Sequence, residues 1–322
     1  STGAYTCVEN VDGAYVTFQL RDDYWGDTAG MAENITIKYY GEESTMFIDF
    51  QNGALDACFG LSSDDAEALN NTPGVTSVIQ SENDIYMLVL PEYVEQFQDE
   101  NVRQAIAHAI DYEQVAIAGF GNLWAPCDSV LPASVLYHKS TDMPYSYDPE
   151  LAAQLMAQSA YPNGFDLKVV ITNSNENINM MTVIQAYLAT IGINITVEQY
   201  DIPTAVPMLQ VGDSGLTLNH GMGGNPQLEP AISLQNYCTE TTNLSVQIND
   251  ADWNNWLNTG LHSVDPAARQ QAYESMQDWA VSAYRLLPVC ESGYAWAYRD
   301  TIASAATAAP SAPDLTQFVM AG

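Results

Sequence analysis

Residues 145–199 read YSYDPELAAQLMAQSAYPNGFDLKVVITNSNENINMMTVIQAYLATIGINITVEQ, and their reading decides the fold. Asp148 stands as an N-cap, Pro149 takes the first helical position, and Glu150 lies beside the positive end of the helix dipole. That helix stops at Tyr161-Pro162-Asn163-Gly164. A β-rich run, Phe165–Ile171, a helix over Asn177–Thr190, a break at Gly192 and a second run, Ile193–Gln199, make a β-α-β unit. Units of this kind build α/β lobes with parallel strands.

Upstream, Asp99–Asp111 (DENVRQAIAHAID) carries Val102, Ala105, Ile106, Ala109 and Ile110 at i, i+3, i+4, i+7 and i+8, one apolar stripe. Asp99 caps that helix. Asp111 opens the next through Asp111-x-x-Gln114, and Gly119 is expected to close it. Two helices meeting at an acidic joint make a corner, the kind of place where a chain changes lobe. Toward the N-terminus, Ala4–Glu9 and Ala14–Leu20 predict a hairpin turned at Asp12-Gly13. Ile35–Tyr40, Leu55–Phe59, Val75–Gln80 and Ile85–Leu90 read as strands, with helices at Ser44–Asn52 and Ser62–Leu69. Trp124–Ser129 reads as a loop. Leu216–Asn219 is a strand, followed by a Gly/Pro-rich loop, His220–Pro230. Helices at Asp252–Leu261 and Asp265–Tyr284 precede a strand at Leu286–Val289. Ala303–Pro313 reads as an irregular surface return.

The 322 residues suffice for two domains, and 47% hydrophobic residues suffice for their cores. The net charge of −32 arises from only 8 Lys plus Arg against 40 Asp plus Glu. Such a field repels nucleic acid and anionic headgroups, which excludes a nucleic-acid partner. No apolar run reaches membrane-spanning length. The five cysteines (Cys7, Cys58, Cys127, Cys238, Cys290) form no C-x-x-C pair, which argues against a zinc knuckle or redox motif. Up to two disulfides, or a set of buried free thiols, both fit. His108, His138, His220 and His262 lack metalloprotease spacing. Neither G-x-S-x-G, nor a P-loop, nor G-x-G-x-x-G is present, and the acidic pairs Asp22-Asp23 and Asp64-Asp65 cannot converge across a cleft as glycosidase carboxylates must. No cofactor is expected, and no enzyme motif is found.

Several stretches together resemble the peptide/nickel-type (family 5) solute-binding proteins of ABC importers. Val102-Arg103-Gln104-Ala105 with Ala109-Ile110-Asp111 matches the opening of that family's ligand-closing lobe. Ser1–Tyr5 and Asp22–Gly26 stand where the family has G-T-G-P-Y and N-P-x-Y-W-G, and Gly53-Ala54-Leu55-Asp56 fits its G-E-I-D. The series Y-D-P-E, A-x-x-L, Y-P-x-G-F, L-x-x-I-G-I follows in order within residues 147–193. The resemblance implies an α/β, two-lobed, periplasmic-binding-protein type II-like fold. It further implies that the N-terminal part of the first lobe and a small extra domain lie outside this sequence. The first lobe is expected at 1–89 plus 286–322 and the closing lobe at 90–285.

The implied function is capture of a small solute, a peptide, oligosaccharide or similar, in the inter-lobe cleft and delivery to a membrane ABC permease. The protein would be a monomer outside the cell membrane or in the periplasm, lipid-anchored through the missing N-terminal segment. An extracellular hydrolase acting on a polar substrate and a surface interaction module reusing the fold are the alternatives. The loop Asn219-His220-Gly221-Met222-Gly223-Gly224-Asn225-Pro226 matters most, because adjacent glycines let backbone approach a ligand closely. In the family's peptide binders this loop reads G-W-x-x-D, and the Asp pairs with the peptide's α-ammonium. Here Met222 holds the Trp position and Asn225 the Asp position, so a neutral or polyhydroxylated ligand is expected. Trp124, beside Pro126, and Glu229, four residues past Asn225, complete the expected ligand set. His220 at the loop's edge keeps a metal-chelate ligand open.

Overall fold

The computed structural model describes residues 2–220, 229–237, 248–305 and 318–321. Its backbone divides into two units, residues 1–82 with 293–322 and residues 83–292. The divisions therefore fall before and after the expected 89/90 and 285/286. The reason is that each crossing lies inside a long strand rather than in a linker.

In the first unit, β1 (Tyr5–Val11) and β2 (Tyr15–Leu20) form the expected hairpin, with Gly13 at φ +69°. β3 (Asn34–Lys38) continues the sheet antiparallel to β2. Then follow α1 (Glu43–Gln51), β4 (Ala57–Leu61), α2 (Ser63–Leu69) and β5 (Val75–Val89). Ser62 is the cap of α2, its Oγ accepting from the Asp65 N–H at 3.2 Å. Two separate runs were expected where β5 is one strand. Its polar middle, Ser81–Asp84, does not turn the chain, because Asn83 absorbs the irregularity alone at φ +56°.

The second unit holds α3 (Glu100–Ala109), α4 (Tyr112–Phe120), β6 (Trp124–Ala125), α5 (Pro149–Gln158), β7 (Phe165–Thr172), α6 (Asn175–Ala189) and β8 (Ile193–Tyr200). After these come α7 (Ile202–Gln210), β9 (Thr217–His220), α8 (Pro230–Leu234), α9 (Ala251–His262), α10 (Pro266–Ser282) and β10 (Leu286–Arg299). The last strands, β11 (Ile302–Ser304) and β12 (Val319–Met320), pair with each other in the first unit.

The β-α-β unit forms as expected: β7 and β8 pair in parallel from Phe165↔Ile193 to Thr172↔Tyr200. Val169, Ile171, Ile193, Ile195, Met180, Ile184 and Leu188 are buried together with the α3 stripe in one core. Each such side chain contributes about 1.5–3 kcal/mol by leaving water. The tight start of the two strands needs glycine, since a Cβ on Gly164, at φ +78°, would lie 1.9 Å from the Gly192 oxygen.

The three aspartate caps are present, and two of them also tie helices together. Asp99 accepts from Asn101 N–H at 2.9 Å and, through its other oxygen, from Ala160 N–H at 2.7 Å. Asp148 accepts from Leu151 N–H at 2.9 Å while its own N–H donates to the His108 oxygen at 2.9 Å. Asp111 accepts from Gln114 N–H at 3.3 Å.

Several local expectations are corrected. The corner between α3 and α4 lies wholly inside the second unit. Helix α4 ends at Gly121, in a positive-φ conformation, not at Gly119. Gly119 instead lets α4 approach α6, because a Cβ there would lie 2.6 Å from Met180 Cγ. Trp124 and Ala125 are a short strand rather than loop. Helix α7 was not anticipated because Pro203 and Pro207 mimic a loop; Pro203 sits in the first turn, where no N–H is needed, and Pro207 is accommodated further in. Cys7, Cys58, Cys127 and Cys290 are free thiols, and Cys238 lies outside the described residues.

Candidate ligand-binding site

Within the second unit, the strand order β10-β5-β9 with β6 on the outer side of β10 builds one sheet. Trp124 lies opposite Ser292 on β10, and His220 opposite Tyr86 on β5. The Ser292 hydroxyl reaches the Asp84 carbonyl at 3.5 Å, so these positions share one end of the sheet. Trp124 and His220 thus stand three strand spacings apart across the sheet and about two residues apart along it. This end carries the half-buried indole of Trp124, the buried carboxylate of Asp84 and the neighbouring Glu291.

No Lys or Arg occurs within residues 83–86, 124–128, 217–220 or 290–292. The bases Arg285 and Arg103 sit at the opposite end of β10 and β5. Arg285 donates to the Leu90 oxygen at 3.4 Å, and Arg103 donates to the Ala283 and Phe97 oxygens, each at 2.9 Å. Burial, helped by the neighbouring Arg103, lowers the Arg285 guanidinium to about 10. Asp84 and Glu291 thus lie toward the Trp124 end of the sheet, and Arg285 and Arg103 toward the other. Burial pushes the nearby Cys127 thiol up to about 12, with Glu291 and Asp128 adding to the rise, so it stays protonated near neutrality.

Of the expected site residues, Asn219 and His220 close β9, so the strand delivers the chain directly into the Gly-rich loop. Met222 and Asn225 lie outside the described residues. Glu229 re-enters at the N-cap position of α8 and accepts from Arg269 Nη2 at 3.0 and 3.1 Å and from the Tyr273 hydroxyl at 3.1 Å. Arg269 is held in turn by the Gly260 oxygen at 2.8 Å and by the rings of Tyr137 and Tyr273 at 5.5 and 5.9 Å. Burial, reinforced by Glu229 and opposed by Arg269, pushes the Tyr273 hydroxyl up to about 12, so it remains a donor to the carboxylate. Glu229 thus anchors the start of α8 to α10.

Asp84 and Glu291 escaped sequence reasoning, because each sits inside a strand pattern with no motif around it. His108 is structural, its Nδ1 2.9 Å from the Ser146 oxygen. Among the described residues, no three His, Cys, Asp or Glu side chains are grouped to hold a metal ion. No described helix is long and apolar enough to cross a membrane.

Residues 1–243 match the family described as "Bacterial extracellular solute-binding proteins, family 5 Middle". The chain belongs to that family. The family 5 chain is 23% identical over 300 residues to Heme-binding protein A of Haemophilus influenzae, covering 90% of itself and 54% of that protein. It is 23% identical over 271 residues to the Glutathione-binding protein GsiB of Escherichia coli, covering 79% of itself and 51% of that protein. It thus spans about half the length of these relatives. The crystal structure of a putative peptide binding protein AppA from Clostridium difficile superposes with a TM-score of 0.87 at 18% identity, covering 99% of this chain and 67% of AppA. The family 5 chain has the same α/β fold.

Proposed function

We propose that the whole protein is the substrate-binding component of an ABC importer, capturing a small solute and handing it to a membrane permease. The reading rests on family membership together with one observation: Trp124 on β6 and the end of β9 at Asn219–His220 belong to the same sheet of the second unit. The reading assigns solute contact to Trp124, Asn219, His220, Met222 and Asn225. Glu229 serves this set by fixing the start of α8 through Arg269 and Tyr273. The protein acts without turnover, as a monomer, at the outer face of the membrane or in the periplasm. It is lipid-anchored through an N-terminal segment of the same protein outside residues 1–322.

The solute is neutral or polyhydroxylated. Asn225, offering an acceptor and two donors but no charge, suits hydroxyls or amides better than a free ammonium.

A thermal-shift screen with tetrapeptides, their amino-acetylated forms, neutral oligosaccharides and metal chelates tests the reading. A ligand at 100 times its Kd stabilises by about 2.7 kcal/mol, which is readily seen. The expected hit is a neutral solute, or a peptide indifferent to acetylation, whose shift shrinks in Trp124→Ala. Peptides that bind only with a free amino terminus would overturn the role of Asn225. Release of a chemically altered solute would overturn the binding function in favour of hydrolysis.

A further inference from the structure

We propose that Arg103 and Arg285 form a binding site for a small doubly charged oxyanion, phosphate or sulfate, at the end of the second unit's sheet away from Trp124. This inference is independent of the solute reading, whose residues lie toward the other end of β5 and β10. The site stands where β5 gives way to Pro91 and β10 begins, Leu90 N–H donating to the Arg285 oxygen at 2.9 Å. Arg103, near the start of α3, reaches the same corner. Its Nε donates at 2.9 Å to the oxygen of Ala283, two residues before Arg285.

Both guanidiniums are held by backbone oxygens rather than by carboxylates. Arg103 Nη1 donates to the Phe97 and Gln98 oxygens at 2.9 and 3.3 Å, and Arg285 Nη1 to the Leu90 and Pro91 oxygens at 3.4 and 3.5 Å. Among the described residues, Arg285 Nε and Nη2 and Arg103 Nη2 meet no acceptor, and none of these atoms is sealed from water. Neither side chain makes an ion pair there. The carboxylates whose charge reaches the pair are Glu92, Asp99 and Glu100, and each is engaged elsewhere. Glu92 accepts from Asn249 N–H at 3.3 Å, Asp99 from the Asn101 and Ala160 N–H groups, and Glu100 from the Gln104 amide at 2.8 Å.

Arg285 is only 7% exposed. A charged side chain so buried is ordinarily paired, and left alone it weakens the fold. The positive charge of Arg103 beside it adds repulsion to the desolvation. Two like charges therefore converge in a chain that carries just 8 Lys plus Arg. A bound anion relieves both penalties at once. The free N–H groups belong to two planar forks, which match the oxygens of a tetrahedral oxyanion, and two positive charges call for a dianion. The slight exposure of Arg285 suits a small ion rather than a macromolecule. The acidic field of the whole chain opposes entry, so the expected affinity is millimolar.

Equilibrium dialysis of the 322-residue chain against radiolabelled phosphate tests the proposal, at slightly alkaline pH, where phosphate is a dianion, and with ionic strength fixed by chloride. A single saturable site is expected, with sulfate displacing phosphate and acetate at the same concentration failing to. Arg285→Met keeps the packing of the side-chain stem and should weaken phosphate by at least about tenfold. Phosphate at millimolar concentration should raise the melting midpoint of wild type and leave that of Arg285→Met unmoved. Should Arg285→Met fail to fold, Glu92→Gln decides: with this neighbouring negative charge removed, phosphate should bind about threefold more tightly. No saturable binding, equal affinity in Arg285→Met, no gain in Glu92→Gln, or displacement by acetate would each overturn the proposal. All four results would leave the solute-binding reading standing.

Discussion

Gln277→Leu should be among the most damaging single substitutions outside the apolar core. The Gln277 side chain is fully buried on α10 and uses all four of its hydrogen-bonding positions. Its amide donates to the Tyr137 oxygen at 2.9 Å and the Tyr273 oxygen at 3.0 Å. Its oxygen accepts from the Ser129 hydroxyl at 2.8 Å and the Lys139 N–H at 2.9 Å. Leucine fills similar space and accepts or donates nothing. The Tyr273 oxygen keeps a partner through the helix ladder, but Tyr137 O, Ser129 Oγ and Lys139 N–H lose theirs.

At about 1–3 kcal/mol for each stranded group, and with partial relaxation of the half-buried Lys139 backbone, the loss should be about 3–5 kcal/mol. For a unit of this size that lowers the melting midpoint by roughly 6–20 °C. Urea denaturation of wild type, Gln277→Leu and Gln277→Glu measures it. The glutamate variant retains both acceptor contacts but turns a second oxygen toward the Tyr137 and Tyr273 carbonyls, so its loss should be at least as large at neutral pH and shrink as the carboxyl is protonated. Hydrogen exchange should also rise at Ser129 and Lys139, in the segment that follows Trp124, which Gln277 straps to α10. A Gln277→Leu loss below about 1 kcal/mol would refute this account, since the orphaned groups would then be finding water or new partners at little cost.

Asp148→Ala should cost about 1 kcal/mol by removing the α5 cap, read as a shifted urea midpoint with an unchanged slope. Gly164→Ala should prevent a stable β7–β8 start, because its Cβ would lie 1.9 Å from backbone, whereas Gly13→Ala, with nothing within 4 Å, should cost only about 1 kcal/mol of backbone strain; soluble yield and melting of the two variants compare them. Alkaline stability should fall from about pH 9. Burial holds the Cys58 thiol and the Tyr294 and Tyr273 hydroxyls up at about 12. These groups favour the fold fully below their ordinary values of 9.0 and 10.0, and that contribution is lost as pH climbs toward 12. Melting from pH 8 to 12 should show the decline, and Cys58→Ala should delay its onset.

The sequence alone determined the elements whose signals are local. Asp99, Asp111 and Asp148 cap helices because a short carboxylate reaches a free N–H two or three residues on, whatever the rest of the chain does. The β-α-β unit was legible because its hydrophobic periods switch cleanly between glycine breaks, and the ordered motifs around it sufficed to place the family. Tertiary structure decided what depends on neighbours distant in sequence. Trp124 looks like loop until β10 arrives to pair with it, and β5 looks like two strands until its partners hold its polar middle extended. Gly119 resembles a helix stop, yet its role is set by Met180 on another helix. The Glu229–Arg269 clamp and the four bonds of Gln277 join residues far apart in sequence, so no local pattern announces them.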